Sequence, residues 1–225
     1  TVAKSCETVT GVKLLDVEPG AATNRTVITF AGPPEAIADA AFEVISQAKT
    51  LIDMRTHSGE HPRFGATDVC PFVPVAGVTM EECAEIARQL GKRVGEELGV
   101  WVYLYEYAAS KPEWANLAVV RKGEYEALAD RVGKPEWKPD FGPEELDPKF
   151  GAVAIGARKF LVAYNINLNS QNKKMAKDIA FNIREKGRSK REFYPDGEII
   201  RKPDGKPVKI PGIFDNCQAG AWIIP

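Results

Sequence analysis

Apolar and polar positions first alternate and then recur at helical spacing, and this order appears twice along the chain. Residues 12–20, VKLLDVEPG, read as a buried strand ending at a Pro-Gly turn, and residues 25–32, RTVITFAG, alternate like its antiparallel partner. From Pro34 the apolar positions Ile37, Ala41, Val44, Ile45, Ala48 and Ile52 predict a helix to about Met54, with Pro34 in a first-turn position where its missing N–H costs nothing. TDVCPFVPV, residues 67–75, predicts another strand, and Pro71 and Pro74 each delete a ladder donor, which argues for an edge or a bulge. TMEE at 79–82 has capping-box spacing, and Met80, Cys83, Ala84, Ala87, Leu90, Val94 and Leu98 form the apolar stripe of the helix it opens. VWVYLYEY, residues 100–107, is the clearest strand in the chain.

Residues 108–150 break the pattern. They carry Pro112, Pro135, Pro139, Pro143 and Pro148 with a short helical patch near GEYEALADRV, and read as a long excursion outside the core. Order returns with ARKFLVAYNINLN, residues 157–169, as a long apolar strand, then a helix from about Gln171 to Lys186 with Met175, Ile179, Ala180 and Ile183 inward. Residues 187–209 are basic and polar, with Pro-Asp-Gly turns at 195–197 and 203–205 that suit hairpins. The fold class is α/β (α+β): a first unit over 1–107, a connecting segment over 108–150, and the start of a second unit over 151–225.

Charge narrows the partners. Thirty basic residues against thirty-one acidic ones leave a formal charge of -1, so nothing global draws the 225-residue chain to nucleic acid or to an anionic membrane. Cys6, Cys70, Cys83 and Cys217 are widely spaced without a Cys-x-x-Cys pair and read as reduced thiols of a cytoplasmic protein. No apolar run reaches the length of a membrane span, and the first residues lack a signal-peptide core. The chain begins without Met and ends at AWIIP as a strand starts, so both ends read as cut.

Both histidines, His57 and His61, fall within HSGEHPRFG. Their i, i+4 spacing raises a metal site, but Gly59 and Pro62 oppose a helix there and no third ligand accompanies them. The functional reading competes with that of two exposed loop histidines. Its support is the company of Glu60, Arg63 and Asp68, which could orient or charge an imidazole and grip an anion. EPGAATNRTV gathers Glu18, Asn24 and Arg25 at a strand-to-strand turn, which plain turn chemistry also explains. DFGPEELDPKFG reads either as a proline-stiffened linker or as a wall for a flat heteroaromatic ligand. Arg158 and Lys159 open a strand and are of a kind that usually serves solubility.

LLDVEPG with TNRTVITFAGPPE, then LIDMRTHSGEHPRFGATDVCPFVPV, GVWVYLYEYAA, WKPDFGP and GARKFLVAYNINLNS together resemble the formiminotransferase domain of glutamate formimidoyltransferases, found alone or fused to a cyclodeaminase. The match spans roughly residues 11–187. It implies a pair of ferredoxin-like α/β subdomains forming a homodimer, folate bound in a tunnel, and transfer of the formimino group of N-formimino-L-glutamate to N5 of tetrahydrofolate in histidine degradation. Tetrahydrofolate is then a co-substrate, and no metal or tightly bound cofactor is needed. It also implies a further strand before this chain and a second subdomain continuing past Pro225.

By the same resemblance His61, in GEHPR, is the catalytic base and acid, and His57 has a positioning role. The folate-binding loop falls on Gly142, Pro143, Glu144, Glu145, Leu146, Asp147, Pro148, Lys149, Phe150 and Gly151. Glu18 stands where the family carries Asp and is a candidate for holding the amidinium. Arg25, Arg63 and Arg158 are candidates for the substrate carboxylates, because bidentate geometry favours Arg. Two other readings stay open: formyl transfer between N-formylglutamate and tetrahydrofolate on the same site, and a folate-binding module without activity.

Overall fold

A computed structural model describes residues 1–21, 23–59, 61–161, 168–193 and 197–213. It divides into two compact units, Thr1–Leu161 and Val162–Pro225. In the first unit Lys13–Gly20 (β1) and Arg25–Ala31 (β2) pair antiparallel, with Glu18 opposite Val27 and Gly20 opposite Arg25. The pairing follows the alternation, but the expected burial does not. Leu14, Ile28 and Phe30 pack on Cys6, Ala40 and Val44, whereas Leu15, Val17 and Val27 are exposed, because the ribbon covers only one of its faces.

Helix α1 runs Pro34–Leu51 and α2 runs Met80–Leu98. The capping box forms as predicted: the Thr79 hydroxyl accepts from the Glu82 amide at 3.2 Å, and the Glu82 carboxylate accepts from the Thr79 amide at 2.7 Å. Gly99 closes α2 in the left-handed region at φ 62°.

Strands β3 (Val69–Phe72), β4 (Trp101–Glu106) and β5 (Ala152–Ala157) form a parallel sheet in the order β3-β5-β4. The edge position of β3 accommodates Pro71, which lies opposite Gly156. Of the strand expected over 157–169, only Ala157 is in a strand, as the last residue of β5; residues 158–161 form none, and 162–167 lie outside the described residues. The central strand is instead AVAIGA, buried throughout, so no alternation marks it. It therefore completes the first unit's sheet, whereas the sequence placed residues from 151 onward in the second.

Two layers cover the sheet. Val102, Leu104, Val153 and Ile155 face α1 and α2, meeting Phe42, Ile45, Ala87, Leu90 and Val94. Trp101, Tyr103, Tyr105, Ala152 and Ala154 face the other way, against Phe64, Trp114, Val120 and Leu128. The excursion is thus the second layer, built from short 3-10 turns and α3 (Leu117–Val120). Buried side chains such as Leu128, Phe64 and Ile155 contribute roughly 2 kcal/mol each. Arg131 is buried here too: its guanidinium donates to the Val120 and Lys122 carbonyls and lies 4.2 Å from the Trp137 ring centre.

In the second unit α4 (Lys173–Ile183) starts at Asn172, whose side chain accepts from the Met175 amide. Arg188–Ser189 (β6) pairs with Lys209–Ile210 (β7), and bridges Arg191–Ile199 and Arg201–Pro207 bracket the two Pro-Asp-Gly segments. Residues 194–196 of the first of these lie outside the described residues.

Candidate active site

Residues 57–59 and 61–68 lie between the 3-10 turn Met54–Thr56 and β3 without regular structure, and backbone bonds to residues 150 and 152, at the start of β5, hold them. The Ala152 amide donates to the Phe64 carbonyl at 3.0 Å, and the Ala66 amide to the Phe150 carbonyl at 2.8 Å. Gly65 is required here, since a Cβ would stand 2.2 Å from the Ala152 carbonyl oxygen. This ties the histidine loop to the C-terminal end of the 142–151 loop.

The hairpin turn docks on the same segment. Asn24, at φ 47°, donates its side-chain amide to the Ser58 carbonyl at 2.5 Å. Gly59 leaves only enough room for the Thr23 carbonyl, which a Cβ would approach to 2.5 Å. Docking brings Arg25 to His61: Arg25 Nη1 lies 2.6 Å from His61 Nε2, and His61 Nδ1 lies 2.6 Å from the Pro62 carbonyl oxygen.

The donors and acceptors settle the tautomer. A carbonyl only accepts, so Nδ1 carries the proton; a guanidinium only donates, so Nε2 presents its lone pair. Burial holds the imidazole pKa below its ordinary value, the Pro62 carbonyl opposes this, the Arg25 and Arg121 cations lower it further, and Glu124 raises it. His61 is therefore neutral at neutral pH.

Behind it, Arg121 bonds the same Pro62 carbonyl and pairs with Asp68 at 2.9 Å. Burial pushes the Asp68 carboxyl up to about 6 even beside that guanidinium, so desolvation outweighs the attraction. Glu124 follows in a strained turn, at φ 59° and ψ -155°. The Tyr125 amide donates to the Arg63 carbonyl, and the Tyr125 hydroxyl to the Pro148 carbonyl at 2.6 Å. Arg63 pairs with Glu126 and lies over the Tyr125 ring.

The 142–151 loop is fastened along its length. Trp101 Nε1 donates to the Pro143 carbonyl, Lys149 Nζ to the Thr50 carbonyl, and the Phe150 and Gly151 amides to the Asp147 carbonyl. Glu144 and Glu145 are exposed, Leu146 is half-buried against the aromatic face of the sheet, and Phe150 is fully buried. Gly142 and Gly151 take φ 116° and 81°.

Of the remaining candidates, Glu18 lies on the hairpin face that carries Arg25, since its partner Val27 is two residues from Arg25. His57 is half-buried and its Nδ1 makes no hydrogen bond among the described residues. Arg158 stands at the C-terminal end of the sheet, its amide bonded to the Phe72 carbonyl, whereas Asp68 immediately precedes β3. The length of β3, roughly 13 Å, separates the two backbone positions. Glu60 lies outside the described residues. Sequence reasoning missed Arg121 and Glu124, which stand some sixty residues from His61 and carry no local mark of the contact.

Residues 1–158 match the family described as the formiminotransferase domain, N-terminal subdomain, and residues 163–225 match the formiminotransferase domain. The chain is 54% identical over 180 residues to a formimidoyltransferase-cyclodeaminase of Rattus norvegicus, covering 80% of this chain and 33% of that protein. It is 45% identical over 183 residues to a glutamate formimidoyltransferase of Streptococcus pyogenes serotype M1, covering 81% and 61%. To the glutamate formimidoyltransferase of Thermoplasma acidophilum it is 52% identical over 177 residues, covering 78% and 58%. The chain thus spans about a third of the first relative's length and about three-fifths of the other two. With its resemblance, its α/β fold and these matches in agreement, the chain belongs to the formiminotransferase domain family.

Proposed function

We propose that this chain carries the base of an enzyme that transfers the formimino group of N-formimino-L-glutamate to N5 of tetrahydrofolate, giving 5-formiminotetrahydrofolate and glutamate. The observation that carries the proposal is the state of His61: neutral, its Nδ1–H fixed on the Pro62 carbonyl, its Nε2 lone pair presented to the Arg25 guanidinium. As N5 attacks the amidine carbon it loses a proton, which Nε2 accepts. As the carbon–nitrogen bond to glutamate breaks, the same proton passes to the departing nitrogen. The imidazole returns to its starting tautomer, so base and acid are one residue.

The names of the relatives from Streptococcus pyogenes and Thermoplasma acidophilum support the reaction. In this reading the 142–151 loop contacts the pterin, with Tyr125 bracing it through Pro148, and Glu18 and Arg25 face the amino-acid substrate. Tetrahydrofolate is a co-substrate with no tightly bound cofactor beside it, and the enzyme acts as a homodimer in the cytoplasm. Reduced thiols fit that compartment: the three described cysteines are free, and burial raises the Cys70 thiol to about 12.

The test mixes the full protein with formiminoglutamate and tetrahydrofolate and converts the 5-formimino product in acid to the absorbing methenyl form. Product is expected from the wild type, with a fall of about a hundredfold or more in His61→Ala. Absence of product from formiminoglutamate, with product from N-formylglutamate, would replace the donor. Full turnover by His61→Ala would remove the base.

A further inference from the structure

We infer that Arg25 is a removable cap on the base nitrogen of His61, and that a carboxylate of the amino-acid substrate draws the guanidinium away and frees the lone pair. This rests on the proposed reaction and adds a step before it. In the structure the lone pair that must take the proton is already engaged by Arg25 Nη1 at 2.6 Å. While that bond stands, Nε2 cannot accept a proton from N5.

Three arginines surround the loop, and they differ in what satisfies them. Arg121 pairs with Asp68 and Arg63 with Glu126. Among the described residues Arg25 makes no ion pair within bonding distance, although its charge also acts on the Asp68 carboxyl; its hydrogen-bond partner is a neutral ring nitrogen. A carboxylate offers two charged oxygens to the same fork, a stronger match than one neutral acceptor. An incoming substrate carboxylate therefore outcompetes His61 for Arg25, while Arg121 and Arg63 stay with their own partners.

The geometry permits the exchange at small cost. The turn carrying Arg25 is anchored by Asn24 on the Ser58 carbonyl and by the bond from the Asn24 amide to the Ala21 carbonyl, so the backbone stays in place. Arg25 itself is exposed and can swing by rotation of its side chain. The groups facing His61 are then Arg25 from the hairpin, the Pro62 carbonyl from its own loop, and Arg121 and Glu124 from the segment after α3, with Asp68 beyond Arg121. Departure of Arg25 removes one of two cations from the ring, and arrival of a carboxylate adds a negative charge nearby. Both changes strengthen His61 as a base, and only when the amino-acid substrate is present.

The test follows the His61 ring nitrogens by 15N NMR across pH in wild type and Arg25→Gln, each free and with saturating glutamate, the product amino acid. Arg25→Gln alone should shift the His61 titration upward. Glutamate should shift it upward in the wild type, and much less in the variant. Arg25→Lys, which keeps the charge but not the fork, should raise KM for formiminoglutamate about tenfold. An unchanged titration in Arg25→Gln would show that no cap exists. A wild-type titration unmoved by glutamate, or failure of glutamate to bind, would overturn carboxylate-driven release. Turnover, measured separately, distinguishes these failures from failure of the formimino reaction, because the free-protein titration does not depend on which group is transferred.

Discussion

Replacement of Asp68 by Asn tests the electrostatics of the site in isolation from its chemistry. Burial raises this carboxyl from 3.8 to about 6, and its side chain is 20% exposed. Between those values the folded chain keeps a proton that the unfolded chain has lost. Stability must therefore fall as pH rises through this window, and the full penalty is present above about 6. A displacement of about two units corresponds to roughly 3 kcal/mol. Asn has the same shape and no proton to lose. Its stability relative to wild type should improve by up to about 3 kcal/mol between mildly acidic and neutral pH, over whatever constant offset the altered Arg121 contact brings. Urea denaturation of both proteins at several pH values, with m-values held comparable, reads the difference directly. A difference that does not vary with pH would show that Arg121 fully compensates the burial. A variant that loses ground as pH rises would show that the ion pair prevails over desolvation.

Two further perturbations probe the backbone around the base. Glu124→Gly relieves a conformation that costs on the order of 1–3 kcal/mol, set against about 0.5–1 for the added freedom of the unfolded chain, so a net gain near 1 kcal/mol is expected in the urea midpoint. Because Glu124 raises the His61 pKa, the same variant should shift the His61 titration downward, and an upward shift would contradict the assigned field. Gly65→Ala forces a Cβ against the Ala152 carbonyl and should cost about 1–3 kcal/mol while parting the histidine loop from β5; unchanged amide-exchange protection at Ala66 and Ala152 would count against that stitching.

What could be read from the chain follows the physics of each signal. Capping at Thr79 and Glu82 is a local bond pair, so four residues suffice to announce α2. Pro71 announces an edge because it lacks an amide, wherever the strand pairs. By contrast β5 has apolar neighbours on both faces, and AVAIGA offers neither alternation nor bulky β-branched runs to set it apart. The excursion misled for the opposite reason: its prolines and short turns look like surface, while Trp114, Val120 and Leu128 are spaced to cover the aromatic face of the sheet. At the site, residues 57–68 could be singled out because both histidines lie there. Arg121 could not, because its partners Pro62 and Asp68 become neighbours only when the excursion folds back over β4 and β5.

That folding back explains why a site of irregular loops can be well defined. Its pieces come from residue 25, from 61–68, from 121–126 and from 148–151; the last three are bonded to one another through backbone groups, and Arg25 reaches His61 by its side chain. The Tyr125 amide reaches Arg63, the Tyr125 hydroxyl reaches Pro148, and Phe64 and Ala66 bond across to 150–152 at the start of the central strand. A fixed tautomer of His61 needs the Pro62 carbonyl in one place, and two donors hold it there, His61 Nδ1 and Arg121. Arg121 is held in turn by Asp68, whose own backbone carbonyl accepts from the Ala154 amide in β5 at 3.1 Å. The unfavourable burial of the Asp68 charge is thus connected to the orientation of the base through three bonds, Asp68 to Arg121, Arg121 to the Pro62 carbonyl and that carbonyl to His61, and the sheet supplies the rigidity that the loop lacks.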